Sequence, residues 1–330
     1  MKYQRLGSSG LKVSELCLGT MTFGHQCDEK TSFAIMDQVA ENGVTFIDTA
    51  DCYPIPLSLE TAGRTEEIVG KWLRDKRDRF VLATKCRIEV GPGPNDSGLS
   101  RKHILHAVEQ SLRRLQTDYI DLYQAHSPDP ETPLEETLDA FDTLVRQGKV
   151  RYLGLSNFPA WQVALTLGIS AQHGWSKIVS VQPRYNVIFR EIENGLLPLC
   201  RDQNLGVMAY NPLAGGFLTG RYQSLEKEPP PETRFTLGGP TGKTYRQRYW
   251  HEAQLEAVND LQQLMKQNGR SLITASVAWV LAQKGVTCAI IGASKPEQLK
   301  ATLAAVDFEL TEQEVEAFDH AWYRVPRKKT

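Results

Sequence analysis

The chain has 330 residues, and its 38 Lys and Arg against 39 Asp and Glu leave a formal charge of −1. That balance carries no electrostatic footprint for nucleic acid, and no apolar run reaches the length a membrane span needs. Hydrophobic residues make up 41% and charged residues 23%, enough apolar mass for a large globular core.

Lys2, Arg5, Lys12 and Glu15 stand where a secretion signal would be apolar. Six cysteines, at 17, 27, 52, 86, 200 and 288, form no CxxC pair. They read as reduced thiols of a cytoplasmic protein, in which the sequon at Asn95 has no meaning. The first stretch, KYQRLGSSGLKVSEL, predicts a hairpin around Gly7–Gly10 placed to plug the bottom of a barrel.

Eight short β-rich runs follow: ELCLGT (15–20), TFIDTA (45–50), FVLATK (80–85), IDLYQAH (120–126), YLGLSN (152–157), VSVQPRYN (179–186), GVMAYNP (206–212) and TCAIIGA (287–293). Each is nearly continuous in apolar residues, as suits strands buried on both faces. Amphipathic stretches separate them. Ile104, Val108, Leu112 and Leu115 share one helical face, as do Leu134, Leu138, Phe141 and Val145. Ser100 precedes one helix, Asn42-Gly43 follows another, and Gly148 and Gly174 end two more. The interval before the last strand predicts a loop over roughly 222–250 and then two helices, one carrying Leu255, Val258, Leu261 and Leu264.

Strand–helix alternation of this kind predicts parallel pairing through right-handed crossovers. The expected architecture is α/β: a (β/α)8 TIM barrel with an N-terminal β-hairpin and long mouth loops. A doubly wound open sheet is the competing arrangement. No composition break divides the chain, so residues 1–330 read as a single barrel domain. GGPTGKT (238–244) resembles a phosphate-binding loop, but Leu237 occupies the position that pattern gives to glycine. GPGPNDSG (91–98) is glycine-rich without being a dinucleotide fingerprint. The closely spaced His103 and His106 lie on an amphipathic helix and read as solvent-facing, and no HxH ends a strand, so no metal site is expected.

Chemistry in such barrels sits where strands end. Asp48, Lys85 and His126 end successive strands, and Tyr53 lies five residues beyond Asp48. Singly, these residues read as a loop cap, a cation reaching solvent, a satisfied histidine and a packing tyrosine. Together they point to a proton-donating device. A phenol with a pKa of about 10 is a poor acid at neutral pH. A nearby ammonium favours phenolate and lowers that pKa, and a carboxylate holds the ammonium in place.

Asp48, Tyr53, Lys85 and His126 match, in order and context, the catalytic tetrad of the aldo-keto reductases. FIDTA, LATK and GLSN resemble that family's signatures, and the similarity extends over nearly the whole chain. The resemblance implies a (β/α)8 barrel that reduces small carbonyl substrates with NADPH, releasing NADP+. Tyr53 would be the general acid, the Asp48–Lys85 pair its tuner, and His126 the group that orients the substrate oxygen.

The resemblance also implies cofactor contacts. Gly19, Thr20 and Asp48 would lie on the nicotinamide side. Ser156, Asn157 and Gln182 would hold the carboxamide, and Tyr210 would stack on the ring. Asn211, Pro212, Leu213, Ala214 and Gly216 would cover the pyrophosphate, with Thr219 and Arg221 just beyond. Gly292, Ser294 and Gln298 would meet the adenosine end. Where the family often carries a Glu-Asn pair, this chain has Ala301 and Thr302, which weakens the expectation of tight adenine recognition. Lys295 and Arg234 are the candidates for the 2′-phosphate. A regulatory barrel like the potassium-channel β subunits, which bind NADPH and serve protein partners, is the rival; those generally lack the histidine present here as His126. The mouth loops 21–33, 51–63, 86–99 and 222–250 are expected to set the substrate. Phe23, Tyr53 and Tyr185 suggest an aromatic-lined pocket for small aldehydes, with sugars, steroids and ketoaldehydes left open. The exterior gives no signal of oligomeric state.

Overall fold

A computed structural model describes residues 1–326. The N-terminal strands β1 (Tyr3–Arg5) and β2 (Lys12–Ser14) pair as an antiparallel hairpin, Tyr3 opposite Ser14. Strand and helix then alternate: β3 (Leu16–Gly19), α1 (Glu29–Glu41), β4 (Phe46–Asp48), α2 (Arg64–Leu73), β5 (Val81–Cys86) and α3 (Arg101–Leu115). The series continues through β6 (Ile120–Ala125), α4 (Leu134–Arg146), β7 (Val150–Ser156), α5 (Ala160–His173), β8 (Ile178–Gln182), α6 (Leu196–Asp202) and β9 (Gly206–Tyr210). Three helices, α7 (Gly239–Tyr249), α8 (Glu252–Gln267) and α9 (Leu272–Ala282), precede β10 (Cys288–Ile291); α10 (Leu299–Leu303) and α11 (Glu312–Arg324) end the series.

Strands β3 to β10 pair in parallel and close, β10 returning to β3, as a (β/α)8 barrel. Closure removes the open-sheet alternative, since each barrel strand has two neighbours. All eight predicted runs form its strands.

The period-two rule of strands builds the interior in layers. Cys17, Phe46, Ala83, Leu122, Met208 and Cys288 fill the lower barrel together with Leu6 and Val13 of the hairpin. The hairpin therefore plugs the bottom. Gly7 permits it: its φ is 58°, and a Cβ there would lie 2.4 Å from the Val179 carbonyl oxygen. Two residues beyond Cys17, Phe46, Ala83, Leu122 and Met208 come Gly19, Asp48, Lys85, Gln124 and Tyr210. The alternation that packs the floor thus aims these five at the mouth.

Outside, the helices bury their apolar faces. Ile104, Val108, Leu112 and Leu115 of α3 are buried, as are Leu138 and Phe141 of α4, with Leu134 and Val145 at the margin. The Ser100 hydroxyl accepts the His103 N–H at 3.3 Å and caps α3, and Gly174 ends α5 at φ 65°. Leu255, Val258 and Leu261 of α8 are buried, but Met265 rather than Leu264 completes that face.

Two expectations fail here. The 222–250 segment contains α7, whose glycine-rich start conceals it; the helix is held through buried Tyr245 and Tyr249. His103 is 1% exposed rather than solvent-facing, because its Nδ1 stands 3.0 Å from the Asn95 carbonyl oxygen of the loop folded over α3. His106 is exposed as expected. Among the described residues no helix is long and apolar enough to cross a membrane.

Candidate active site

Asp48 and Lys85 form an enclosed ion pair at the centre of the barrel mouth. Lys85 is wholly buried, and its Nζ donates to Asp48 Oδ2 at 2.6 Å and to the Thr49 carbonyl at 2.8 Å. The second carboxylate oxygen, Oδ1, accepts from Gln124 Nε2 at 3.0 Å and Gln182 Nε2 at 2.8 Å. Charges survive such burial only when paired and hydrogen-bonded, as this pair is.

Tyr53 reaches the pair because the chain keeps pairing with β5 after β4 ends. Thr49 N–H donates to the Ala83 carbonyl and Asp51 N–H to the Lys85 carbonyl before a turn places Tyr53 over the mouth. Lys85 Nζ stands 5.3 Å from the centre of the Tyr53 ring. His126 meets that ring nearly edge-on, with centroids 5.7 Å apart at 80°. The four residues are one cluster.

Its electrostatics differ from the expectation in one respect. Burial, reinforced by the Asp48 carboxylate, holds the Tyr53 phenol well above its ordinary value, where a lowered value was expected from Lys85. The ammonium is close enough, but Asp48 and Thr49 already engage its charge. Burial, then the Lys85 and Arg87 charges, push His126 well below the usual imidazole value. At neutral pH the cluster therefore presents a protonated phenol beside a neutral imidazole.

The residues expected at the nicotinamide end form a connected network. Ser156 Oγ donates to the Gln182 carbonyl at 3.0 Å. Asn157, at φ 62°, donates from Nδ2 to the His126 carbonyl at 2.8 Å, and its Oδ1 accepts from Tyr210 OH at 2.8 Å. Thr20 donates from Oγ1 to the Asp48 carbonyl at 3.0 Å. A Cβ on Gly19 would lie 2.7 Å from an Ile290 methyl, so β3 and β10 approach closely there.

Beyond Tyr210 the backbone takes positive φ at Asn211, Ala214, Gly215 and Gly216, a left-handed run around Pro212 and Leu213. Asn211 Nδ2 donates to Tyr249 OH at 2.9 Å, which fastens this run to α7. Thr219 Oγ1 donates to the Gly216 carbonyl and accepts from Arg221 Nε. Across the mouth, Gly292 is exposed, and Ser294 N–H donates to Gln298 Oε1 at 2.9 Å. The two phosphate candidates separate. Arg234 is half-buried with an enclosed Nη1 that has no hydrogen-bond partner among the described residues, whereas Lys295 is exposed. Thr302, at one of the two positions where the family often carries Glu-Asn, is buried with its hydroxyl on the Leu299 carbonyl; Ala301 is half-buried.

The aromatic pocket needs correction. Phe23 and Tyr185 are fully buried; Tyr185 donates to Glu193 and packs on Trp279. Only Tyr53 of the three faces the mouth, because the Phe23 and Tyr185 side chains are taken up by the core. Sequence reasoning also missed Gln124, Cys52 and Tyr249. Gln124 was readable by parity, two residues after Leu122 and opposite Lys85. Cys52, whose Sγ lies 3.7 Å from His126 Nδ1, left no such signal.

The chain matches the Aldo/keto reductase family over residues 15–323. It is 41% identical over 320 residues to the uncharacterized oxidoreductase YrpG of Bacillus subtilis, across 95% of this chain and 93% of that protein. It is 36% identical to a probable voltage-gated potassium channel subunit beta of Arabidopsis thaliana, across 93% and 92%. It is 32% identical to an L-glyceraldehyde 3-phosphate reductase of Escherichia coli O157:H7, across 93% and 88%. The chain belongs to the aldo/keto reductase family, whose members are NAD(P)H-dependent oxidoreductases.

Proposed function

We propose that the whole chain acts as one cytoplasmic barrel domain that reduces a small aldehyde or ketone with NADPH, with Tyr53 as the proton donor. The observation that carries this reading is the buried Asp48–Lys85 pair beneath Tyr53, with His126 edge-on to the same ring.

The donor set fits a nicotinamide dinucleotide phosphate, above all the enclosed Arg234 Nη1 that has no hydrogen-bond partner among the described residues. Ser156, Asn157 and Gln182 would hold the carboxamide, Tyr210 the ring face, and residues 211–221 the pyrophosphate. Arg234, with Lys295 at the margin, would meet the 2′-phosphate; Gly292, Ser294 and Gln298 would lie along the adenosine. When bound, the reduced nicotinamide supplies a hydride. Tyr53 gives its phenolic proton to the carbonyl oxygen, and His126 hydrogen-bonds the same oxygen as charge builds on it. Lys85 then stabilises the phenolate that remains, and Asp48 keeps the ammonium in place. Burial thus keeps the donor loaded, and the ammonium acts once the proton has left.

A second reading has one observation in its favour, the relative named as a channel β subunit. On that reading the barrel binds NADPH and serves a protein partner. His126 at the mouth favours turnover. NADPH oxidation across an aldehyde panel, with NADH alongside, separates the two. Turnover of an aldehyde supports the reductase, whereas tight NADPH binding without turnover supports the regulatory barrel.

A further inference from the structure

Cys52 sits between Asp51 and Tyr53 on the loop after β4 and is 1% exposed. Its Sγ stands 3.7 Å from Nδ1 of His126. Among the described residues, that ring nitrogen makes no other hydrogen bond. The histidine backbone is fixed independently: its N–H donates to the Cys86 carbonyl at 2.9 Å, and its carbonyl accepts from Asn157 at 2.8 Å. The thiol is therefore the hydrogen-bonding group that meets the ring at Nδ1, while Tyr53 packs on the same ring edge-on.

A neutral imidazole carries one N–H and one bare nitrogen, and the partner of one nitrogen decides which is which. Burial and the Asp51 charge hold the Cys52 thiol above its ordinary value, so its S–H is present. Sulfur is a weak acceptor and the bare ring nitrogen a better one, so the favourable direction is S–H to Nδ1. The ring hydrogen then resides on Nε2. In the opposite arrangement Nε2 would bear a lone pair, which repels a carbonyl oxygen instead of binding it.

We infer that Cys52 is a positioning residue: its thiol caps Nδ1 of His126 and fixes the tautomer whose Nε2–H binds the substrate carbonyl oxygen. The inference rests on the carbonyl-reductase reading and deepens it. Outer partners of functional histidines act in this way when they set tautomer and ring orientation.

The test is a long-range proton–nitrogen correlation spectrum of the full chain labelled with nitrogen-15 histidine. Wild type should show His126 protonated at Nε2, with Nδ1 as a bare nitrogen accepting a hydrogen bond. In Cys52→Val the Nδ1 resonance should move toward that of an unbonded nitrogen, and Cys52→Ser should return it. With aldehyde, kcat should fall about two- to tenfold in Cys52→Val and recover in Cys52→Ser, the span one hydrogen bond covers. The NADPH dissociation constant should stay within about twofold, since the thiol's hydrogen bond is to the histidine and to no residue expected at the cofactor. A proton on Nδ1 in wild type overturns the Cys52 assignment even if the valine variant does not fold. So does a valine variant with an unchanged Nδ1 resonance and unchanged kcat. Wild type that shows the expected tautomer yet reduces no carbonyl overturns the reductase reading itself, and with it the catalytic purpose of the contact.

Discussion

Lys85 holds the Asp48 carboxylate at 2.6 Å, and neither side chain reaches solvent to any useful extent. The carboxylate keeps two amide donors, from Gln124 and Gln182, if the ammonium is removed. Those amides cannot neutralise its charge. Lys85→Met should therefore destabilise the barrel by about 3–5 kcal/mol, the range for stranding one member of a buried pair. It should also abolish turnover. Urea unfolding and steady-state assay measure the two effects, and a variant as stable as wild type would show that the pair is not enclosed in solution.

Arg234 and Lys295 were equal candidates for the 2′-phosphate, and their surroundings now separate them. The enclosed Nη1 of Arg234, without a hydrogen-bond partner among the described residues, should form a charge-assisted bond with phosphate. Arg234→Met should weaken NADPH binding by about ten- to hundredfold, from a loss of roughly 1.5–3 kcal/mol, and leave NADH binding alone. Lys295→Met should cost under about 1 kcal/mol, as an exposed ion does. Fluorescence titration with both cofactors decides. Equal losses for NADPH and NADH in Arg234→Met would remove the phosphate contact.

His126 carries a pH prediction of definite sign. Burial, Lys85 and Arg87 depress its native value well below the unfolded one of about 6.5. Below that pH the unfolded chain binds the proton and the native one does not, so this group's contribution to stability falls with pH. Relative to His126→Gln, wild type should lose stability as pH drops from about 7 to 5. The His126 ring resonances should not titrate between about pH 8 and 6. A midpoint inside that window would mean the ring is better hydrated than the structure shows.

The barrel was legible because strand pattern and helix pattern are local. Runs such as FVLATK and GVMAYNP announce two-sided burial, and each became a strand. The cluster was legible because Asp48, Lys85 and His126 stand at or next to the ends of successive strands, so one rule about strand ends gathers them. Less local features were hidden. Helix α7 depends on Tyr245 and Tyr249 finding pockets made by distant segments, and GGPTGKT gives no periodicity to reveal that. Phe23 and Tyr185 sit beside mouth loops in sequence, but their side chains turn into the core. The direction of the Tyr53 shift was missed for a related reason. Sequence supplies the neighbouring ammonium, whereas only the folded geometry shows burial and Asp48 outweighing it.

The central claim is that Tyr53 is the proton donor. Tyr53→Phe removes the hydroxyl and keeps the ring that packs between Lys85 and His126. Positioned acid catalysis contributes about a hundred- to ten-thousandfold, and stabilisation of the developing oxyanion adds to it. The decisive measurement is steady-state aldehyde reduction by Tyr53→Phe beside its NADPH dissociation constant. The account predicts a rate at least about a hundredfold below wild type, with NADPH binding nearly unchanged. A rate within about tenfold of wild type would contradict it and move the proton to another donor, His126 first.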